Sequence, residues 1–201
     1  MSRAIKTDSP SIPVIDLSAW NNSDEATQTS LAHAIDDAYR NTGFVYLINH
    51  GIEGELICRC FAQSRNFVRF SDQQKFKVHY SKSGFHRGYI PPRVERPDPQ
   101  APADVKEAFD IGLEVTSCDP GDPAARMRSQ NLWPVDLKEF RETVSEYFSQ
   151  ALVLSNTIFA ILSTALGLPS DFFVGLRMTD QLIGLMMLGF KAQLIRESNP
   201  P

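Results

Sequence analysis

A short apolar run stands between two segments of helical spacing near the start of the chain. The run, Phe44 to Ile48, is rich in β-branched and aromatic residues and is bounded by Gly43 and Gly51, a pattern that predicts a buried strand. Ahead of it, Ser23 can cap a helix that continues to about Arg40. Asn41-Thr42-Gly43 is expected to end that helix, because Gly and Asn tolerate the left-handed backbone of a C-terminal cap. The apolar positions of that helix share one face: Leu31, Ile35, Ala38 and Tyr39.

Further helices follow, separated by one long polar segment. Glu53 to Arg69 predicts a second helix, and the capping-box pattern Ser71-Asp72-Gln73-Gln74 predicts a short third one. The inner side of the second helix is expected to carry Leu56, Ile57, Cys60, Phe61, Ser64, Phe67 and Val68. The stretch from Ser81 to Ala103 has glycines, prolines and little periodicity, which predicts a surface loop. The remaining predicted elements are a strand within Ala108 to Val115, a helix from about Asp136 to Leu166 capped by Gly167, a short helix starting at Pro169, and a strand from Gln181 to Phe190. We therefore expect a helix-rich α/β (α+β) chain with a few short strands.

The composition argues against several classes of protein. The length of 201 residues suits one domain, or one domain plus part of another. The formal net charge is −4 and no Lys/Arg-rich run occurs, which argues against a nucleic-acid partner. The three cysteines, Cys58, Cys60 and Cys118, show no framework spacing, which predicts reduced thiols in a cytoplasmic protein.

The most apolar segment, Ala151 to Leu168, contains several polar side chains and lacks interfacial anchors. A membrane span needs about 20 predominantly apolar residues, so we interpret this segment as a helix buried in protein and expect no membrane partner. The first residues of the chain hold no apolar stretch of the kind found in signal peptides. Gly-x-Ser-x-Gly, P-loop and Gly-x-Gly-x-x-Gly motifs are absent from the sequence.

Several short motifs in a fixed order resemble the N-terminal region of iron(II)/2-oxoglutarate dioxygenases of the isopenicillin N synthase type. They are Pro13-Val14-Ile15-Asp16-Leu17, Gly43-Phe44 with Asn49-His50-Gly51, Gly88-Tyr89, Lys106 to Gly112, Asn131-Leu132-Trp133-Pro134, and Leu166-Gly167-Leu168. The stretch Leu185 to Gln193 departs from the family pattern, with Met186 and Phe190 where an arginine and a tyrosine are usual. An altered C-terminus and plain divergence both account for that departure.

The resemblance implies a jelly-roll enzyme that uses Fe(II) and 2-oxoglutarate, with helices flanking the barrel. Such enzymes hold iron with a His-x-Asp pair and a distant histidine, and an Arg-x-Ser binds 2-oxoglutarate. Neither motif is found here: none of the four histidines, His33, His50, His79 and His86, is followed two residues later by Asp or Glu. We therefore expect no catalytic, cofactor-binding or metal-binding residue in this chain, and an incomplete barrel. His50 is expected to pack in the structure or to form a turn hydrogen bond. His33 is expected to form a surface pair with a nearby aspartate, and His79 and His86 are expected to be exposed to solvent.

By position in the family, the residues able to reach a small-molecule substrate are Arg87, Tyr89 and Arg93. The alternative is a solvated loop with ordinary charges, because loops are polar by default. For Lys106, Glu107 and Asp110 the expected role is hydrogen bonding that holds strand and helix together.

The resemblance divides the chain into residues 1–11 as a flexible N-terminus, 12–135 as the non-haem dioxygenase N-terminal region, and 136–201 as the long helix with the start of an incomplete jelly roll. Three readings stay open: the N-terminal part of an oxygenase that is inactive alone, a non-catalytic interaction module, and a fragment without independent function. Without the barrel, an apolar patch at Phe148, Leu152, Phe159 and Leu162 is expected to cause self-association.

Overall fold

A computed structural model describes residues 11–21, 23–83, 87–96, 98–100, 102–113 and 130–175. The strands are β1 (Val14–Asp16), β2 (Tyr46–Ile48), β3 (Gly88–Ile90) and β4 (Ala108–Asp110). The helices are α1 (Glu25–Asn41), α2 (Gly54–Val68), α3 (Asp72–Phe76), α4 (Lys138–Ala165) and α5 (Phe172–Gly175). Short 3₁₀ turns cover Leu17–Ala19 and Tyr80–Lys82. The helix-rich α/β class predicted from the sequence is confirmed, and the described strands form no closed barrel.

The described chain divides into two compact units. The first holds the residues up to Ile52 and those from Gln150 onward, and the second holds Glu53–Ser149. Helix α4 contributes residues to both units.

In the first unit, β1 and β2 pair in parallel, with Ile15 opposite Leu47. These two side chains face α1 and the second half of α4, where they pack against the core of the unit. That core consists of Leu17, Trp20, Leu31, Ala32, Ile35 and Ile161. Burial of such apolar side chains is the main force that holds strand and helix together.

Helix α1 begins one residue later than the sequence suggested. Asp24 is the N-cap, because its carboxylate accepts a hydrogen bond from the backbone N–H of Thr27 at 2.8 Å. The prediction of Ser23 as the cap is therefore wrong. At the other end Gly43 has φ +73°, a left-handed conformation that favours glycine, as predicted for the C-terminal cap.

In the second unit, β3 and β4 pair antiparallel and carry Tyr89 opposite Phe109 into an aromatic core. The ring centroids of Phe67 and Phe109 lie 4.9 Å apart, and those of Phe109 and Phe140 lie 5.0 Å apart, both edge-to-face. The predicted capping box of α3 is confirmed, with Ser71 and Gln74 bonding each other's backbone N–H groups. The segment from Ser81 to Ala103 is not wholly a surface loop, because β3 lies inside it and is buried.

Several apolar residues are more exposed than predicted. The run Phe44–Ile48 is not a buried strand: its strand begins at Tyr46, and both Phe44 and Tyr46 are well exposed. Tyr39 and Phe61 are also exposed rather than on the inner faces of their helices. The predicted strand Gln181–Phe190 lies outside the described residues.

Helix α4 has the length and apolar composition of a membrane-spanning helix, by those two criteria alone. Only 17% of its most apolar window is buried inside the protein. Ile161 and Ser163 are fully buried, whereas Val153 is exposed, so the segment Ala151–Leu168 is not uniformly buried as predicted. Phe148 packs in the core of the second unit, and its assignment to an exposed patch is wrong.

Candidate functional site

A buried ion pair joins α3 to the start of β4. The Lys75 ammonium nitrogen Nζ lies 2.7 Å from Glu107 Oε2, and the two side chains are 4% and 7% exposed. The Tyr89 hydroxyl donates a hydrogen bond of 2.9 Å to the same Glu107 oxygen. Lys75 Nζ also lies 5.5 Å from the centre of the Tyr89 ring, within the range of a cation–π contact. Because an isolated buried charge is strongly unfavourable, each of these groups depends on the others.

Arg87 occupies space that a side chain at Gly112 would need. Arg87 is 5% exposed, and a Cβ built on Gly112 would overlap its guanidinium group. Burial lowers the pKa of Arg87, and the negative charge of Asp110 acts in the opposite direction. An arginine keeps its charge in proteins, so the buried guanidinium needs the carboxylate of Asp110 nearby.

Asn131 completes this arrangement by pairing with the backbone of Gly112. Its Oδ1 accepts from the Gly112 N–H at 2.9 Å, and its Nδ2 donates to the Gly112 carbonyl at 2.8 Å. We call Arg87, Asp110, Gly112 and Asn131 the Gly112 clamp. It connects two of the sequence motifs, since Asp110 and Gly112 belong to the Lys106–Gly112 stretch and Asn131 begins the Asn131–Pro134 stretch, and it adds Arg87, which directly precedes β3.

The structure separates the predicted substrate residues. Arg87 and Tyr89 are buried in the second unit, so the solvated-loop alternative is wrong for both. Arg93 is exposed, has φ +66°, and donates its backbone N–H to the Asp104 carbonyl at 2.8 Å. The alternative prediction, a solvated loop with ordinary charges, therefore fits Arg93.

The expected structural role of the Lys106–Asp110 motif is confirmed for Glu107, which holds α3 and β3 to β4. Lys106 forms ion pairs with Glu95 at 2.7 Å and Asp104 at 3.2 Å. Sequence reasoning missed Lys75. The available signal was its position three residues before Val78, a spacing that places both on one side of a helical turn.

In the first unit the Asn49-His50-Gly51 turn is tied to the end of β1. Asn49 has φ +52°, and its Nδ2 donates to Asp16 Oδ2 at 2.9 Å. Hydrogen bonds from the Ser18 backbone and from Asn49 lower the pKa of Asp16. His50 Nδ1 accepts from the Ile52 N–H at 3.2 Å, which confirms the predicted turn hydrogen bond and places the proton of a neutral ring on Nε2.

A cavity of about 230 Å³ lies beside this turn. It is lined by Leu17, Asn21, Asn49, His50, Gly51, Gln150, Val153, Leu154 and Thr157. Its mixture of amide, imidazole and apolar groups lacks any carboxylate or thiolate that could hold a metal.

The other histidines are placed apart. His33 is exposed on α1, whereas His79 is half-buried, caps the 3₁₀ turn Tyr80–Lys82 and stacks on Phe76 at 5.0 Å, so full solvent exposure is wrong for His79. His86 and Cys118 lie outside the described residues. Within the described ranges no three His, Cys, Asp or Glu side chains converge on a point, so these residues do not fit the iron site of the resembled family.

Comparison with known proteins identifies the family. Residues 12–136 match the family model described as non-haem dioxygenase in morphine synthesis N-terminal. The chain is 32% identical over 174 residues to homoarginine-6-hydroxylase of Arabidopsis thaliana, which covers 83% of this chain and 52% of the relative. It is 33% identical over 170 residues to a 2-oxoglutarate-dependent dioxygenase of Talaromyces stipitatus, covering 80% of this chain and 52% of the relative.

Solved structures agree with the sequence relatives. Full-length Neurospora crassa T7H, crystallised with alpha-KG and thymine, superposes with a TM-score of 0.67 at 27% identity, over 86% of this chain and 53% of that one. A putative 2OG-Fe(II) oxygenase from Caulobacter crescentus has the same fold over 82% of this chain, with a TM-score of 0.67 at 22% identity. The chain spans about half the length of the curated relatives it matches. This chain belongs to the 2-oxoglutarate-dependent non-haem dioxygenase family and corresponds to its N-terminal region.

Proposed function

We propose that this chain serves as the N-terminal region of a cytoplasmic Fe(II)- and 2-oxoglutarate-dependent dioxygenase that acts on a small molecule. The observation that carries the proposal is the burial of the family motifs around the Glu107 ion pair and the Gly112 clamp. These contacts hold α3, β3 and β4 in fixed positions, and a rigid frame is what a catalytic site on neighbouring elements requires.

On this proposal the chain by itself does not turn over 2-oxoglutarate. The described residues supply no set of imidazole and carboxylate ligands, and the sequence contains no His-x-Asp or His-x-Glu. Arg87 and Tyr89 act through packing rather than through contact with a substrate. Arg93, which is exposed, is the member of the predicted trio that a substrate could reach directly.

The test is anaerobic titration of the purified chain with Fe(II) and 2-oxoglutarate, with the full-length Arabidopsis relative as positive control. The relative is expected to develop a visible charge-transfer band, and this chain is expected to show none. In air, the chain is expected to convert no 2-oxoglutarate to succinate. Succinate formation above the metal-free blank would overturn the proposal.

A second candidate function is a non-catalytic interaction module. It is favoured by the exposed apolar side chains of β1 and β2, because exposed apolar surface is typical of sites that bind another protein. Support of a catalytic site does not require these side chains to be exposed. A stable chain that forms a specific complex while failing to bind iron would support this function over the first.

A further inference from the structure

The chain from Arg93 to Lys106 forms a loop whose two ends are joined to each other. The Arg93 N–H donates to the Asp104 carbonyl at 2.8 Å, and the Asp104 N–H donates to the Glu95 carbonyl at 2.9 Å. These two bonds lie beyond the paired residues of β3 and β4, on the side of the loop. We call Arg93, Glu95, Asp104 and Lys106 the loop base.

One side chain joins the two ends of the loop base. Lys106 Nζ lies 2.7 Å from Glu95 Oε2 and 3.2 Å from Asp104 Oδ2, so a single ammonium group bridges two carboxylates. The three side chains are partly shielded from solvent, with exposed fractions of 22% for Lys106 and Glu95 and 37% for Asp104. Hydrogen bonds to Glu95 and Asp104 raise the pKa of Lys106, so the ammonium group keeps its charge at neutral pH. The bridge therefore favours a closed loop base.

The same loop base contains an unfavourable backbone conformation. Arg93 has φ +66°, in the left-handed region that residues other than Gly, Asn and Asp rarely adopt. Such a conformation persists only where the surrounding contacts fix it. Among the described contacts of the loop base, those able to do so are the Arg93 N–H bond to Asp104 and the Lys106 bridge.

Two opposing contributions therefore meet at the loop base. Relaxation of the Arg93 backbone favours opening, whereas the Lys106 ion pairs favour closure. Ion pairs between partly exposed side chains are individually weak, so together they are comparable in size to the strain of one left-handed residue. Parts of a fold with few buried contacts can open locally while the rest stays folded.

We propose that the loop base is a two-state element, in which Lys106 keeps the base closed against the strain at Arg93 and loss of the ion pairs opens it while β3 and β4 stay paired. Opening releases the exposed Arg93 side chain from its fixed position, so Lys106 is a positioning residue for Arg93. This inference goes beyond the proposed function and does not depend on it, because every contact that it uses lies within this chain.

The experiment is amide hydrogen exchange of the whole chain, followed by nuclear magnetic resonance at the Asp104 N–H. That amide donates to Glu95 across the loop base, whereas the Tyr89 N–H donates to the Val78 carbonyl at 2.8 Å and reports on the fold around β3. In Lys106→Met the protection factor of the Asp104 amide is expected to fall by about threefold to tenfold. The protection factor of the Tyr89 amide is expected to stay unchanged.

The matched control is Lys77→Met. It removes an exposed ion pair with Asp136 at 3.2 Å and is expected to leave the protection of the Asp104 amide unchanged. Glu95→Gln is a second variant of the bridge, because it removes the carboxylate charge and keeps the backbone carbonyl that accepts from Asp104. It is expected to lower the protection of Asp104 by a smaller factor than Lys106→Met. Circular dichroism shows whether each variant is folded, and Glu95→Gln carries the comparison if Lys106→Met does not fold.

Substitutions at Arg93 distinguish stored strain from an ordinary ion-pair role. Arg93→Gly removes the strain, because glycine adopts the left-handed region readily. Combined with Lys106→Met, it is expected to recover most of the lost protection at the Asp104 amide. Arg93→Ala removes the guanidinium group but keeps the strain, so in the same background it is expected to recover none.

Three results would contradict the proposal. One is equal protection of the Asp104 amide in the parent chain and in Lys106→Met, which would show that the bridge does not keep the loop base closed. Another is a parallel loss at the Tyr89 amide, which would make Lys106 a support of the whole fold. The third is the same recovery with Arg93→Gly and Arg93→Ala, or recovery with neither, which would show that no strain at Arg93 opposes closure.

Discussion

The side-chain amide of Asn131 forms two hydrogen bonds with the backbone of Gly112, one with its N–H and one with its carbonyl. These are the two bonds that a neighbouring β-strand would otherwise provide. The contact spans the stretch from β4 to the segment before α4 and is buried, with Asn131 only 9% exposed. Two motifs that are far apart in sequence are therefore parts of one hydrogen-bonded unit.

Asn131→Ala is expected to lower the free energy of unfolding by about 1–3 kcal/mol, because it leaves two buried backbone groups unsatisfied. Asn131→Asp keeps the acceptor but loses the donor and is also expected to destabilise the chain. Urea denaturation followed by circular dichroism measures both. Asn66→Ala, at an exposed position on α2, is the control and is expected to shift stability by less than about 0.5 kcal/mol.

Gly112→Ala is expected to destabilise the chain by about 1–3 kcal/mol, because the new methyl group overlaps the buried Arg87 guanidinium. Gly54→Ala is the matched control, since a Cβ there meets nothing within 4 Å. A double-mutant cycle of Gly112→Ala with Arg87→Lys is expected to be non-additive. Strict additivity would show that the two residues do not compete for the same space.

Lys75→Met is expected to cost about 3–5 kcal/mol of stability, because it leaves the Glu107 carboxylate buried without its cation. The control is Lys77→Met, which breaks the exposed Lys77–Asp136 pair at 3.2 Å and should cost less than about 1 kcal/mol. Thermal and urea unfolding report both values. Equal losses for the two variants would contradict the importance assigned to burial.

Cys58 and Cys60 are expected to react with iodoacetamide at different rates. Burial raises the pKa of the Cys60 thiol, whereas Cys58 is exposed, so Cys58 should be modified first in the folded chain. Peptide mass spectrometry follows the labelling.

The stability of the chain is expected to fall with rising pH because of Cys60. A thiol with a raised folded-state pKa ionises first in the unfolded chain, so its contribution to stability is lost as pH rises above the unfolded pKa. Denaturation at increasing pH should show a smaller decline in the free energy of unfolding for Cys60→Ala than for Cys58→Ala.

The features that sequence predicted best are those decided by neighbouring residues. Ser71 and Gln74 form a capping box within one helical turn, and Gly43 and Gly167 end their helices with positive φ. In each case the atoms that determine the conformation lie within a few residues of one another, so spacing and residue type are enough.

The features that sequence missed depend on residues brought from elsewhere in the chain. Arg87 and Tyr89 have a loop-like polar context in the sequence, and in the fold Arg87 is buried near the Asp110 charge while Tyr89 is hydrogen-bonded to Glu107. The strand at Tyr46 was predicted correctly in type, but its apolar pattern does not reveal whether a second layer covers its other face. The sequence therefore predicted which motifs make up the candidate site, but it did not predict how their residues are buried and paired.

The hydrogen bond between Asn49 and Asp16 lies at the end of the β1–β2 pairing, beside the last partners Asp16 and Ile48. If β2 slipped by one residue, its inward and outward side chains would exchange places, and Leu47 would leave the core. The same slip would pull the Asn49 amide away from the carboxylate. A short ladder that could otherwise align in more than one way is thus restricted to a single alignment by the packing of Leu47 and by one polar contact at its end.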